Sequence, residues 1–378
     1  MVTKRRGHGD GGVHRRSDGR WEARLDGGWT AAGRRRQSFY GTTRAEAVGK
    51  LRRAQEAAAK GMPIIDERTR LATFLDAWLA AVVKPNRTHA TWQGYETNVR
   101  KHITPFIGHR TLAKLSPADV QALINAKRAE GLAPRTVQYV HATLRAALGT
   151  ALRWGLVQRN VATLVEPIAV DRVPVVPFNP DEVRLLLDAA RADSLGAFYT
   201  VAMAVGLRPS EGLALTWGDV DLDAGLLHVR HTLDRRDGGW ILKEPKSRRS
   251  RRTIPLPSVC IAALKEHRRS QLQLRLAVGP AWTDNGLVFS TAAGGPLSRT
   301  EVSRRFGLLQ ERAGVAHRRL YDCRHTAASL LLAQGVSPRV VMETLGHSSF
   351  SLTMDTYTHV MPTLMRDAAD AMDRALRS

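Results

Sequence analysis

A fixed cation, a histidine and a phenol fall close together between Leu320 and Val360. The stretch reads LYDCRHTAASLLLAQGVSPRVVMETLGHSSFSLTMDTYTHV. Arg324 opens a helix-forming run over 327–333, and Gly335 stops it. Ser337-Pro338 starts a second, short helix that ends at Gly346. His347 follows at once and Tyr357 ten residues later. This set suits work on a phosphodiester. Cutting one needs fixed positive charge on the transition-state oxygens, an in-line nucleophile, and a proton for the leaving oxygen. Guanidinium fits the first role because it is planar, forked and always charged. The histidine would donate a hydrogen bond, and the phenol would attack. A second arginine, Arg208, precedes Pro209 at another helix start, so that Arg208 and Arg324 together could pinch one phosphate. One arginine near a helix start is ordinarily a surface residue. The argument rests on the set.

The bulk composition points the same way. The chain has 378 residues, room for two or three domains. Lys and Arg number 57 against 35 Asp and Glu, a net charge of +22 with a pI near 11. That surplus favours a polyanionic partner, because neutralising phosphates releases condensed counterions. A hydrophobic content of 43% is normal for a globular protein with sizeable cores. The absence of a long apolar run predicts no membrane span, and MVTKRRGHGDGG lacks the apolar centre of a signal peptide. Cys260 and Cys323 form no CxxC pair, which predicts a reducing, cytoplasmic location without disulfide or zinc. With no GxxxxGK[ST] loop and no carboxylate cluster, neither cofactor nor metal is expected.

The elements that must position the set divide into successive units. Residues 1–62 are strongly basic. Trp21, Ala23 and Leu25 alternate as in a half-buried strand, Asp26-Gly27-Gly28 signals a turn, and 37–40 suggests another strand. Thr43-x-x-Glu46 then caps a helix to about Lys60, with Gly61 as its stop. The result is a small sheet plus helix, with Arg34, Arg35 and Arg36 where a sheet face could enter a DNA groove. Met1 to Gly12 is expected to be disordered. Residues 69–165 read as nearly all helix. The second helix breaks near Pro105; Ser116 and Pro117 open a third, and Pro134 to about Trp154 forms a fourth. In the fourth, Val137, Val140, Leu144, Leu148 and Ala151 mark one buried face. Lys101, Lys127 and Arg135 fall between or at the ends of these helices, as cations of a DNA clamp or of an ordinary packing domain. Residues 166–178 are a proline-rich extended linker. In the last unit, 179–378, Asn179 and Ser298-x-x-Glu301 cap helices. Leu226–Val229, Trp240–Lys243 and Arg252–Leu256 read as three short strands, with Lys246 in the loop before the last. A terminal helix carries Leu364, Ala368, Ala371, Met372 and Ala375 on one face.

Five motifs recur in a known order. They are Gly-Leu-Arg-Pro-Ser-Glu-Gly (206–212), Lys246 before Arg-Arg-Thr-Ile-Pro-Leu (251–256), Asp-Cys-Arg-His-Thr-Ala-Ala-Ser (322–329), Leu-Gly-His-Ser-Ser (345–349) and Asp-Thr-Tyr-Thr-His-Val (355–360). In these the chain resembles a tyrosine recombinase of the phage-integrase family, over nearly its whole length. The resemblance implies a mainly α architecture with small β-sheets (α+β). It implies an arm-site-binding module at 1–62, a helical, SAM-like core-binding domain at 69–165, and a catalytic domain at 179–378. It implies that Tyr357 attacks the scissile phosphate to give a 3′-phosphotyrosyl link, and that Arg208 and Arg324 hold the non-bridging oxygens. Lys246 would protonate the leaving 5′-oxygen, His347 would hydrogen-bond the phosphate, and Glu211 would orient the arginine. The implied partner is double-stranded DNA at core and arm sites, bound by a homo-tetramer, with an accessory excision or bending protein. The terminal helix would dock on a neighbouring subunit. One position departs from the pattern: Tyr321 stands where the family usually has histidine. A phenol near pKa 10 is a poor base at pH 7, so Tyr321 is expected only to position the phosphate or pack. Two rivals remain at this level, a type IB topoisomerase-like enzyme and a catalytically silent DNA-binding regulator on the same scaffold.

Overall fold

The structure, a computed structural model, describes residues 12–30, 33–59, 68–166, 168–170, 175–236, 238–245, 248–346, 369–370 and 372–377. The chain forms two compact units, 1–172 and 173–378.

The first unit begins with strands β1 (Gly12–Arg15), β2 (Trp21–Thr30) and β3 (Gly33–Gly41), a sheet in the order β1-β2-β3 with antiparallel pairing. Helix α1 (Arg44–Ala59) covers one face, where Ala23, Leu25 and Phe39 meet Ala47, Leu51 and Ala54. The expected alternation of β2 is therefore present. The expected turn at Asp26-Gly27-Gly28 is not: β2 runs through it, and the pairing slips between Asp26 and Trp29. Two adjacent glycines within a strand absorb an irregularity in its pairing as readily as they make a turn. Glu46 does cap α1, accepting from the Thr42 backbone at 2.8 Å while Thr43 Oγ1 accepts from Glu46 N at 3.2 Å.

The helical part follows: α2 (Leu71–Trp78), α3 (Lys84–Asn86), α4 (His89–Thr97), α5 (Thr104–Ile107), α6 (Pro117–Ala129) and α7 (Pro134–Arg153). The break expected near Pro105 does not occur. Wide π-turns at Leu79–Val83 and Asn98–Ile103 precede Pro85 and Pro105, and helix resumes after each. Proline lacks an N–H and its ring strikes the carbonyl four residues back. A π-turn shifts the ladder by one residue, as where Thr104 N–H donates to the Val99 carbonyl, so the helix carries the proline without a break. Ser116 and Asp119 form a capping box at α6. The predicted stripe of α7 is buried from Val137 to Ala151. Trp78 stacks on Tyr95 at 5.5 Å and donates to Thr150 Oγ1 at 3.2 Å.

The second unit carries α8 (Pro180–Ala190), α9 (Gly196–Val205), α10 (Pro209–Gly212), β4 (Val220–Asp221), β5 (Leu226–Val229), β6 (Thr232–Arg236), β7 (Gly239–Lys243), β8 (Arg252–Pro255), α11 (Ser258–Val278), α12 (Arg299–Arg312), α13 (Asp322–Ala333) and α14 (Pro338–Leu345). Helix α9 is apolar all round and buried, which makes it the centre of the core. Trp240–Lys243 does not join the other two expected strands. It pairs with β6 as a separate hairpin, while β4, β5 and β8 form their own sheet. Ser298 makes no cap; Glu301 instead holds Arg304 at 2.7 Å. Residues 372–377 are helical, with Met372 and Leu376 exposed.

Candidate active site

The site is built where α9, β8, α13 and α14 meet. Helix α9 ends at Gly206, whose left-handed backbone (φ 71°) turns the chain into Leu207 and Arg208. Arg208 is extended before Pro209, and Glu211, one turn on, folds back over it. Glu211 Oε2 accepts from the Arg208 backbone N–H at 3.0 Å, and Oε1 accepts from Arg208 Nη1 at 2.6 Å. The carboxylate is 3% exposed. Burial alone would raise its pKa, but Arg252 first and Arg208 second outweigh that and hold it below the ordinary glutamate value.

Arg324 enters from the first turn of α13 and is 1% exposed. Its Nη1 donates to the Gly206 carbonyl at 2.8 Å and its Nη2 to the Leu345 carbonyl at 2.6 Å. Its buried Nε has no hydrogen-bond partner among the described residues. Burial and the neighbouring Arg208 push the guanidinium down to about 10, still cationic at neutral pH. Arg208 Nη2 donates to the next carbonyl, Gly346, at 3.0 Å. The two arginines that the sequence places 116 positions apart thus grip adjacent peptides at the end of α14. The turn there needs glycine twice over. Gly346 has φ 69°, and a Cβ would lie 3.0 Å from the Arg249 carbonyl and 3.1 Å from Arg252 Nη1.

Arg252 is the residue that sequence reasoning missed. It donates from Nε to the Thr344 carbonyl at 2.6 Å and from Nη2 to Glu211 Oε2 at 3.0 Å. A signal existed: Ile254 and Leu256 are buried, so period-two alternation puts Arg252 on the inward face of β8. An inward charge demands a partner.

Tyr321 sits at the start of α13, 40% exposed, with its ring 5.4 Å from that of His325. Burial lowers the His325 pKa. Lys246, His347 and Tyr357 lie outside the described residues. So do the side chains of Arg34, Arg35 and Arg36, whose backbone forms β3. Lys101 and Arg135 are exposed, and Arg135 stacks on the Tyr139 ring at 4.9 Å. Lys127 corrects the expectation of a surface cation. It is 6% exposed, bonded to Glu130 at 2.7 Å, and lies over the Phe106 ring. Its aliphatic stem is buried on the inner side of α6, and the ammonium is held by Glu130, whose own side chain is half exposed. Among the described residues no group of His, Cys, Asp and Glu could hold a metal ion.

Residues 178–363 match the phage integrase family, and 70–128 match the N-terminal SAM-like domain of phage integrases. An integrase of Streptomyces ambofaciens is 32% identical over 385 residues, covering 98% of each chain. The chain belongs to the phage integrase family. Its function is site-specific recombination, by DNA cleavage and rejoining. The fold agrees. The Tn1549 transposon integrase, solved with a circular intermediate DNA, gives a TM-score of 0.67 at 20% identity, covering 79% of this chain and 99% of that one. A lambda integrase tetramer bound to a Holliday junction gives 0.58 at 18% identity, covering 93% and 96%. Arg208, Glu211 and Arg324, singled out from their motifs, are thus brought together by this integrase fold, and Arg252 joins them.

Proposed function

We propose that the chain integrates or excises a mobile element through a phosphotyrosyl intermediate at Tyr357. The observation that carries this reading is the grip of Arg208 and Arg324 on adjacent carbonyls at the end of α14, next in sequence to His347 and followed by Tyr357. Two guanidiniums at one place are what two non-bridging phosphate oxygens require. Arg208 and Arg324 hold those oxygens, His347 donates to the phosphate, and Lys246 protonates the leaving 5′-oxygen. The phosphotyrosyl bond conserves the energy of the one that breaks, so rejoining needs no ATP. Glu211 orients Arg208, and Tyr321 packs beside His325.

The partner is double-stranded DNA, as in the two solved relatives. The protein assembles on it as a homo-tetramer, as lambda integrase does on a Holliday junction, and works with an accessory excision or bending protein. The basic module at 1–62 reads arm sites. The helical domain at 69–165 reads the core site, with Lys101 and Arg135 on phosphates, and 166–178 links it to the catalytic domain at 179–378. The terminal helix docks on a neighbouring protomer, and the complex resides in the cytoplasm.

A suicide substrate carrying the cognate core site tests the reading. The wild-type protein should leave a covalent protein–DNA band that Tyr357→Phe abolishes. Tight binding without any such band would leave a silent DNA-binding scaffold and refute the assignment.

A further inference from the structure

Three successive carbonyls at the end of α14 are each taken by a different arginine. Arg252 holds Thr344, Arg324 holds Leu345, and Arg208 holds Gly346. The last carbonyls of a helix have no partner within it, and each of these receives a charged donor from a distant part of the chain. Two of the three arginines are accounted for by the proposed chemistry. Arg252 is not.

Arg252 has little left to offer a substrate. Its side chain is 7% exposed. Its nitrogens are spent on protein: Nε on Thr344 at 2.6 Å, Nη1 on the Ser250 carbonyl at 3.0 Å, and Nη2 on Glu211 Oε2 at 3.0 Å. Its action must pass through those partners. Glu211 Oε2 is shared between Arg252 and the Arg208 backbone, while Oε1 takes the Arg208 side chain. Remove Arg252, and among the described residues the buried carboxylate keeps Arg208 as its one ion-paired partner. The Thr344 carbonyl would lose its donor in the same stroke. The close approach of Gly346 to Arg252, 3.1 Å from a would-be Cβ to Nη1, keeps that last turn seated on the guanidinium. A lysine cannot do this. Its ammonium is a single point of charge, without the planar fork that reaches two acceptors in different directions.

We propose that Arg252 is a positioning residue: its guanidinium ties Glu211 to the last turn of α14, so that Arg208 and the Gly346 turn are fixed as one unit for phosphate binding. The inference rests on the recombinase reading for its consequence in cleavage, but the positioning itself can be read without DNA.

Two variants, Arg252→Lys and Arg252→Gln, test it in the full chain. Single-turnover cleavage of a suicide substrate at saturating DNA should slow by about 100-fold in both, the scale at which a displacement of about 1 Å acts on a reacting centre. DNA affinity should stay within about threefold, since the lost interaction acts on the transition state and not on binding. Arg208→Lys combined with Arg252→Gln should be no slower than the slower single variant, as residues acting as a unit require. The side-chain Nε–H signal of Arg208, followed by NMR in protein without DNA, should shift or broaden in both variants. Cleavage within about threefold of wild type would overturn the proposal, and so would losses that multiply in the double variant. An unmoved Arg208 signal would overturn it whatever the cleavage assay gave. If both variants lose the cooperative melting transition, Arg252 holds the fold and the proposal falls. A wild-type protein that binds DNA without forming the covalent band would refute the recombinase reading alone, since the Arg208 signal tests the positioning independently.

Discussion

Alanine at Gly206 tests the close packing behind Arg324. Gly206 has φ +71°, and a Cβ built there would lie 2.5 Å from Leu345 Cδ2 and 3.0 Å from Ala327 Cβ. Two costs follow. The left-handed backbone costs an L-residue about 1–2 kcal/mol. Overpacking a filled site adds about 1–3 kcal/mol, because Leu345 and Ala327 are themselves buried and cannot yield freely. Gly335 separates the two. It has φ +75°, also follows a helix, and has nothing within 4 Å of its would-be Cβ. Gly335→Ala should therefore show the backbone cost alone. In a unit of this size each kcal/mol lowers the melting temperature by about 2–4 °C, so Gly335→Ala should fall by about 2–8 °C and Gly206→Ala by about twice that. Differential scanning calorimetry on the two variants and wild type gives the comparison. Equal drops would refute the packing argument, since Leu345 would then have moved aside at no cost. The Gly206 carbonyl also accepts from Arg324, so Gly206→Ala should slow cleavage while Gly335→Ala should not.

Three further outcomes are expected. Glu22 lies on the sheet face away from α1, yet it is 2% exposed beneath Arg24, Arg16 and His14. A hydrogen bond from Arg24 first, and one from Ser38 next, lower its pKa from 4.5 to about 2. A depressed folded pKa gives stability that is present above 4.5 and lost as pH falls toward 2, so Glu22→Gln should flatten acid unfolding of the sheet module in that window, followed by circular dichroism. Tyr321→Phe should cleave within about threefold of wild type, because its ring packs beside His325 and a phenol hydroxyl is a weak general base; a loss as complete as that of Tyr357→Phe would show that its hydroxyl takes part. Lys127→Met should leave DNA affinity within about twofold, since its ammonium already faces Glu130, while exposed Arg135→Ala should weaken binding and lower its salt dependence by about one counterion.

Local chemistry was legible wherever a short-range signal decides the structure. Ser116, Asn179 and Ser337 each cap the helix that their sequence announces. The three- and four-residue steps from Val137 to Ala151 became a buried face. Prolines misled, because Pro105 reads as a stop only if the turn before it is a regular one. Helix α11 gave no clean stripe, since Val259, Leu272, Leu274 and Leu276 are exposed and only Cys260 and Leu264 are buried. Arg208, Glu211 and Arg324 were legible by motif, and so was the pairing of the two arginines. Arg252 and the means of convergence were not, because what joins Arg208, Arg252 and Arg324 is a row of backbone carbonyls at 344–346, and a carbonyl has no letter in a sequence.

That row has a thermodynamic consequence. Arg208 and Arg252 share one carboxylate, Glu211, while Arg324 bonds only peptide carbonyls among the described residues, so the cluster holds excess positive charge at a helix end. Mutual repulsion within the cluster already tells on Arg324, whose pKa both burial and Arg208 depress. An anion that binds there relieves repulsion as well as making its own contacts. By linkage, inorganic sulfate alone should raise the melting temperature of residues 173–378, and should do so less in Arg208→Gln. On the proposed reading, the charge that would grip a phosphodiester and the stability of the fold draw on the same electrostatic reserve, so that the ligand would complete the fold.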